Sequence, residues 1–143
     1  MLISFVKYNI KISISIEHEP LGTAGPIRLA KEKILEGNES GMFFVFNSDV
    51  ICDYPLSKFV EFHKAHGKEG TILTSVVEDP TRYGVVISQD NGQIDKFVEK
   101  PPVFVSNKIN AGLYLLNVSM IERIEMRPTS IEREIFPKMA AEG

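Results

Sequence analysis

Asp49 is the residue of this chain whose neighbours best suit it to chemistry. It follows five consecutive apolar residues, Met42–Phe46, and the polar pair Asn47 and Ser48. An uninterrupted apolar run predicts a strand buried on both faces, and ligands of α/β sheets bind beyond the carboxyl ends of such strands. Because Mg²⁺ prefers oxygen ligands and keeps several waters, Asp49 is a candidate magnesium ligand. A helix-capping or turn aspartate is an equally good interpretation of this residue alone.

A second candidate is the glycine loop, residues 21–25 (LGTAG), which precedes a predicted helix. Gly22 and Gly25 permit close approach of the backbone to a ligand, and the N–H groups of a helix start can bind a ring edge or an anion. Thr23 is expected to cap the helix, and Pro26 suits its first turn. Taken alone, the loop is better explained as a tight turn between a strand and a helix.

A third candidate is the pair Glu99 and Lys100, which lies at the exit of a predicted strand. A lysine ammonium can bind phosphate, and a glutamate carboxylate can accept hydrogen bonds from sugar hydroxyls. Gly84 and Asn110 are a small residue and an amide, which would let a sugar lie against the end of the sheet. Each feature alone is more often a solvated charge, a bulge or a turn.

Apolar periodicity predicts the elements that must position these residues. Isoleucines at every second position predict a half-buried strand over residues 10–16, and helical spacing predicts a helix over residues 27–35. With the strand of Met42–Phe46 they predict a right-handed βαβ unit. The other predicted elements are a helix over 56–65, a central strand over 71–77, a hairpin over 83–99 that turns at Asn91-Gly92, a strand over 108–116, a short helix ending at 124 and a last helix opening at 128–130. Residues 1–6 are either another strand or an irregular start. The fold class is α/β, a three-layer Rossmann-like mixed, mainly parallel sheet with flanking helices.

Composition limits the classes of function. The chain has 143 residues and a net charge of -3, which allows one domain and gives no general attraction to nucleic acid or anionic membranes. The one cysteine, Cys52, is interpreted as a small packed residue and fits a reducing, cytoplasmic location. His63 and His66 share a helix face without a third ligand, so we expect them to be solvated and not to bind zinc. Residues 132–134 are interpreted as a solvated, charged helix face.

Taken in order, these motifs resemble those of the sugar-1-phosphate nucleotidyltransferases. The resemblance extends from Glu17 to Gly143 and rests on the stretches E-P-L-G-T-A-G, F-N-S-D, Y-G-V-V, V-E-K-P and N-A-G-L-Y. Within that family, F-V-S-N-K-I-N-A-G and P-T-S-I-E look most like the catalytic β type of the GDP-mannose pyrophosphorylases (mannose-1-phosphate guanylyltransferases).

The resemblance implies the nucleotide-diphospho-sugar transferase fold and Mg²⁺-dependent nucleotidyl transfer. An oxygen of mannose-1-phosphate would attack the α-phosphorus of GTP, so that GDP-mannose forms and pyrophosphate leaves. The roles implied by motif are nucleotide binding by Gly22, Thr23 and Gly25, metal binding and catalysis by Asp49, hexose binding by Gly84, Glu99 and Asn110, and catalysis and sugar-phosphate binding by Lys100. A homo- or hetero-oligomer is implied for the full-length protein.

Parts of the family pattern have no match in this sequence. They are the triphosphate-binding G-G-x-G-T-R loop, a second metal-binding aspartate and a carboxy-terminal β-helix. We therefore expect residues 1–143 to be a partial catalytic domain that is inactive alone. The alternative is a noncatalytic module of such an enzyme that binds nucleotide sugars or regulates. A sugar transferase with a nucleotide-sugar donor is disfavoured, because N-S-D lacks the first acid of an Asp-x-Asp metal site.

Overall fold

The computed structural model describes residues 10–143, so the expectation for residues 1–6 lies outside the described part. In chain order the elements are α1 (Gly25–Leu29), α2 (Lys31–Leu35), β1 (Met42–Phe46), α3 (Leu56–His66), β2 (Gly70–Val76), β3 (Gly84–Ser88), β4 (Ile94–Glu99), β5 (Lys108–Asn117), a 3₁₀ helix (Val118–Arg123), a π-helical turn (Ile131–Ile135) and α4 (Phe136–Glu142).

Strand β5 lies at the centre of the sheet and has neighbours along both edges. Leu115 pairs with Phe44 of β1 and also with Thr71 of β2, so these two strands flank β5 on opposite sides. Ile109 of β5 pairs with Val85 of β3, and β3 pairs in turn with β4. Strand β5 therefore pairs directly with β1, β2 and β3, and β4 is joined to it through β3.

The strand directions correct part of the predicted fold. Helices pack on a central sheet, so the α/β class is confirmed, but every strand pairing found within residues 10–143 is antiparallel. Strands β1 and β2 run in the same direction, and β5 lies between them with the opposite direction. The prediction that β2 is central is also wrong, because in the described part of the chain it pairs only with β5. Apolar runs predicted the strands here, but not the direction of their pairing.

Burial explains why β5 is central. Alternate residues of a strand point to opposite faces. Leu113 and Leu115 pack against Phe59 of α3, whereas Tyr114 and Leu116 pack against α4 and the 3₁₀ helix. These four β5 side chains are each 1% exposed or less. The sheet is thus covered on both faces at this strand.

Strand β1 packs on both faces, as its apolar run predicts, but only in part. Phe43 and Val45 contact the cluster beneath α4, and Met42 and Phe44 contact the cluster beneath α3. All four are only half-buried, and Phe46 is 45% exposed. The expectation of full burial is therefore wrong.

Residues 10–16 do not form the predicted strand. Only Ile10 makes a bridge, and the rest of the segment is irregular. Ile10, Ile14 and Ile16 are 53%, 46% and 68% exposed. The segment is held instead by polar contacts, since Lys33 Nζ donates to the carbonyl of Ile14 at 2.9 Å. Without that strand, the predicted βαβ unit is absent from residues 10–143.

The remaining predicted elements are present with changed boundaries. The helix expected over 27–35 is divided into α1 and α2 at Ala30. The hairpin of β3 and β4 is confirmed, the short helix before Ile124 is a 3₁₀ helix, and the last helix begins with a π-helical turn whose first N–H groups are capped by Ser130. Cys52 is exposed, so its interpretation as a packed residue is wrong.

A closed ring of hydrogen bonds joins α3 to the ends of β2 and β5. The N–H of Lys68 donates to His66 Nδ1 at 2.9 Å, which leaves the imidazole proton on Nε2. One orientation then satisfies every member: His66 Nε2 donates to Thr71 Oγ1 (2.7 Å), that hydroxyl donates to His63 Nδ1 (2.8 Å), and His63 Nε2 donates to Asn117 Oδ1 (3.0 Å). The Asn117 amide returns to the carbonyl of Lys68. The expectation that both histidines are solvated is wrong, since His63 is 2% exposed.

Acidification should destabilise the fold by protonating this ring. Burial, followed by the charges of His63 and Lys68, holds the pKa of His66 below its ordinary value. The unfolded chain therefore binds a proton at higher pH than the folded chain, and the free energy of unfolding should fall as the pH drops from about 7 to about 5. Urea titrations of the wild type and His66→Gln measure this fall, which should be smaller in the variant. The control is His18→Gln, at an exposed loop histidine; an equal fall in all three chains would contradict the assignment.

Candidate active site

The predicted sugar-binding residues lie in one row across three strands. Glu99, at the end of β4, pairs with Gly84, at the start of β3. Because Val85 pairs with Ile109 in an antiparallel register, Gly84 in turn lies beside Asn110 of β5. The acid and the amide therefore flank a glycine, as a surface that receives a polyhydroxylated ligand requires.

Gly84 is glycine because its neighbours leave no room for a side chain. A Cβ atom there would lie 2.8 Å from Glu99 Oε2 and 2.8 Å from Phe97 Cζ. The carboxylate of Glu99 thus folds over the backbone of Gly84. Its side chain is 19% exposed, so it is partly desolvated and still reachable.

Lys100 leaves this row in a strained backbone conformation. Its φ of 45° is in the left-handed region and is the one positive φ of a non-glycine residue in the described chain. The conformation is held by a hydrogen bond from its N–H to the carbonyl of Tyr83 at 3.1 Å. Lys100 Nζ lies 3.7 Å from Glu99 Oε1 and its side chain is 58% exposed, so this ion pair is weak. The ammonium remains available to a phosphate.

Beside the row lies a polar cluster of Asn47, Asn110, Gly112 and Tyr114. Asn110 Oδ1 accepts from the N–H of Gly112 (3.0 Å), and Asn110 Nδ2 donates to the Tyr114 hydroxyl (2.8 Å). Gly112 has a φ of 75°, and a Cβ there would lie 2.7 Å from Asn47 Nδ2. Asn47 therefore packs across Gly112, and its own N–H donates to the Gly112 carbonyl at 2.9 Å. The amide of Asn110 is fixed at both ends.

The Tyr114 hydroxyl is kept protonated by its surroundings. Burial, aided by the charges of Glu132 and Glu99, raises its pKa to about 12, whereas hydrogen bonding by Asn110, and less so by Asn47, acts in the opposite direction. Two carboxylates from different elements therefore act on one phenol. A phenol that accepts a hydrogen bond from Asn110 still has its own proton to donate.

The glycine loop is fixed by residues 127–132. A Cβ on Gly22, whose φ is 74°, would lie 2.5 Å from the carbonyl oxygen of Thr129, and one on Gly25 would lie 3.2 Å from that of Arg127. The Ala24 N–H donates to the Thr129 carbonyl, and the Thr129 N–H donates to the Leu21 carbonyl, each at 2.9 Å. Gly22 therefore permits packing between two backbone segments, whereas a Cβ on Gly25 would first meet Leu21 Cβ of the same loop, at 2.5 Å.

Thr23 does not cap α1 as predicted. The N-cap residue is Ala24, and no side chain caps this helix. Thr23 Oγ1 instead donates to Glu132 Oε2 at 2.6 Å and accepts from the N–H of Ile131 at 2.9 Å. Pro26 lies in the first turn, as expected.

Asp49 is exposed in the turn after β1. Within residues 10–143 no group of three or more His, Cys, Asp or Glu side chains could hold a metal ion. An exposed carboxylate suits Mg²⁺, which is commonly held by one or two carboxylates, waters and the phosphates of a substrate. The donor chemistry of Asp49 thus fits the ion, and its role remains a prediction.

Sequence reasoning missed Tyr114 and Glu132 as members of this region. Tyr114 could have been found, because residues 110, 112 and 114 share one face of a strand by period two. Glu132 could not, since 109 residues separate it from Thr23. A groove of about 940 Å³ between β2 and the β3–β4 hairpin contains none of the predicted site residues.

The family follows from a match along almost the whole sequence. The family model described as Nucleotidyl transferase matches residues 3–143. The chain belongs to this nucleotidyl transferase family. Its resemblance to sugar-1-phosphate nucleotidyltransferases is thereby confirmed at the level of the family.

Curated relatives of this nucleotidyl transferase chain share more than half of its residues. It is 59% identical over 138 residues to mannose-1-phosphate guanyltransferase beta-A of Xenopus laevis and 59% identical over 139 residues to mannose-1-phosphate guanyltransferase of Hypocrea jecorina. Each alignment covers 96% of this chain and 38% of the relative. The chain therefore spans well under half the length of these relatives.

Solved structures support the fold. HddC from Yersinia pseudotuberculosis is 32% identical, with a TM-score of 0.69, over 86% of this chain and 52% of HddC, and HddC has also been crystallised in complex with GMP-PN. A putative glucose-1-phosphate thymidylyltransferase from Bacillus anthracis has a TM-score of 0.75 at 20% identity, over 94% of this chain and 53% of that one. The second likeness bears on the fold alone.

No helix in the described part of this chain has both the length and the apolar character needed to cross a membrane.

Stability at alkaline pH should report on Tyr114. Because its folded pKa of about 12 exceeds the ordinary value of 10.0, the folded chain keeps a proton that the unfolded chain loses. The free energy of unfolding should therefore decrease between about pH 10 and pH 12, by about 2 to 3 kcal/mol. Denaturant titrations should show a smaller decrease for Tyr114→Phe. Tyr54→Phe, at an exposed tyrosine, is the control and should behave as the wild type. A decrease of the same size in Tyr114→Phe would show that this hydroxyl is not perturbed.

Proposed function

We propose that this chain is part of a mannose-1-phosphate guanylyltransferase catalytic domain. The reaction is transfer of GMP from GTP to mannose-1-phosphate, which yields GDP-mannose and pyrophosphate. The observation that carries the proposal is the convergence of Gly84, Glu99, Lys100 and Asn110 at one end of the sheet, in a chain 59% identical to proteins of that name.

The row of sugar-binding residues holds the acceptor. Glu99 and Asn110 exchange hydrogen bonds with hexose hydroxyls on either side of Gly84, whose missing side chain lets the carboxylate of Glu99 lie over its backbone. Lys100 neutralises the phosphate of mannose-1-phosphate, whose oxygen attacks the α-phosphorus. Such a reaction depends on alignment and charge neutralisation more than on covalent help from the protein.

The glycine loop and Asp49 hold the donor. Gly22, Thr23 and Gly25 contact the guanine ring, and their positions are supported by the fixed backbone of residues 127–132. Mg²⁺ would be held by Asp49 together with water and phosphate oxygens, and would supply further neutralisation of the triphosphate. The proposal includes GTP binding and a cytoplasmic location, with which the exposed, unpaired Cys52 is consistent. It also includes a homo- or hetero-oligomeric full-length protein.

A second candidate function is that of a noncatalytic module, which binds GDP-mannose or regulates a nucleotidyltransferase of this kind. It is favoured by the solitary position of Asp49, which has no cluster of further metal-ligating side chains among residues 10–143. Such a chain would hold the product through the same row of residues but would not align the triphosphate for attack.

Replacement of Lys100 by Ala should weaken mannose-1-phosphate binding by about tenfold or more, because a charge-assisted hydrogen bond contributes on the order of 2 kcal/mol. GTP binding should change much less. Calorimetric titration of each ligand measures the two effects. Lys96→Ala removes an exposed lysine of β4, the strand that precedes Lys100, and should alter neither affinity. Equal losses for both ligands would contradict the assigned role of Lys100.

Pyrophosphate release distinguishes the two functions. The 143-residue chain is mixed with GTP, mannose-1-phosphate and Mg²⁺, and binding of GDP-mannose is measured in parallel. Release that disappears in Asp49→Asn would support transfer by this chain itself. Binding of GDP-mannose without release is the result we expect for the isolated chain, and it supports the binding module or a catalytic domain in need of further segments. Failure to bind GDP-mannose would overturn both.

A further inference from the structure

Glu132 makes side-chain hydrogen bonds that are not needed to cap the helical turn in which it lies. Its Oε2 accepts from Thr23 Oγ1 at 2.6 Å and from Ser130 Oγ at 3.0 Å. The cap of the following turn is complete without it, since the N–H of Arg133 donates to Ser130 Oγ and the N–H of Ser130 donates to Glu134 Oε1. The expected solvated helix face is therefore wrong for Glu132 and Glu134.

The contact fixes the orientation of one hydroxyl in the glycine loop. Thr23 Oγ1 accepts from the N–H of Ile131 and therefore directs its own proton to Glu132. The backbone on both sides is held to Thr129, through the close approach of Gly22 and the hydrogen bond from Ala24. A short charge-assisted hydrogen bond is stronger than a neutral one, so the contact with Glu132 holds the Thr23 hydroxyl in this orientation.

Glu132 also acts on the opposite side of the site. Burial is the main cause of the raised pKa of Tyr114, whose hydroxyl is bound to Asn110, and the negative charges of Glu132 and Glu99 act in the same direction. The half-buried carboxylate of Glu132 thus contacts the glycine loop, and its charge also acts on Tyr114, which lies beside the row of predicted sugar-binding residues.

We propose that Glu132 is a positioning residue, which sets the glycine loop relative to the sugar-binding row by holding the Thr23 hydroxyl. The inference rests on the nucleotide-binding role given to that loop in the proposed function. Glu132 itself touches no substrate. Removal of its carboxylate loosens the loop and weakens binding of the nucleotide more than binding of the sugar phosphate.

The test compares Glu132→Ala, Glu132→Gln and Glu122→Ala in the 143-residue chain. Glu122 is an exposed glutamate bound to Arg28 and Lys31, so it controls for loss of an ion-paired carboxylate. Amide hydrogen exchange at Ile131 and Ala24 measures order in the loop. Calorimetry with Mg²⁺-GTP and, separately, with mannose-1-phosphate measures the two affinities.

Glu132→Ala should speed amide hydrogen exchange at Ile131 by about tenfold and lower the affinity for GTP by about tenfold, because one charge-assisted hydrogen bond is lost. Mannose-1-phosphate affinity should change much less. Glu132→Gln keeps an oxygen acceptor for Thr23 and should recover most of both losses. A role confined to general stability would weaken both ligands equally and would not be rescued by Gln.

The inference is overturned if the amide hydrogen exchange rates and the GTP affinity of Glu132→Ala equal those of Glu122→Ala. It is also overturned if Glu132→Ala lowers the affinities for both ligands equally. If the wild type binds no GTP, the proposed function fails, and exchange at Ile131 and Ala24 still decides whether Glu132 orders the loop. If Glu132→Ala does not fold, Glu132→Asp, which withdraws the carboxylate from Thr23 Oγ1 by one methylene, is measured in its place, with the same result expected.

Discussion

The structure depends on strand β5, which hydrogen-bonds to a neighbouring strand along each edge and packs against helices on both faces. Strand β5 pairs with β2 along one edge and with β1 along the other, while its alternate side chains pack under α3 and α4. The residue of β5 available for chemistry lies near its start, where the half-buried Asn110 follows Ile109. Because β1 runs antiparallel to β5, its end carries Asn47 and Asp49 towards Asn110. The offset register in which Val85 pairs with Ile109 places Gly84, and through it Glu99, beside the same residue.

Close backbone approach recurs in this site, and each instance has a local cause. Gly22 lies against the carbonyl of Thr129, Gly84 lies beneath Glu99, and Gly112 lies beneath Asn47. In each case a Cβ would be 2.8 Å or less from a polar atom. The packing that assembles the site is therefore by itself a sufficient reason for glycine at these positions.

The segment from Arg127 to Glu134 does several tasks with few residues. Thr129 receives the glycine loop, Ser130 and Glu134 cap the turn, and Glu132 holds Thr23. Glu132 and Glu134 make hydrogen bonds within the protein, whereas Arg133 is exposed. A sequence pattern of alternating charge suggests a solvated face because a partner as distant in sequence as Thr23 is not visible in it.

The sequence by itself determined the helix and strands from β1 to β5, the hairpin at Asn91-Gly92 and, through its ordered motifs, the nucleotidyl transferase family. These properties depend on neighbours within a few residues or on the order of motifs along the chain. Only the tertiary structure decided the antiparallel pairing, the exposure of residues 10–16, the burial of His63 and the partners of Thr23, Tyr114 and Glu132. Each of these depends on contacts between residues distant in sequence, or on the lack of a packing partner, and local periodicity carries no information about either.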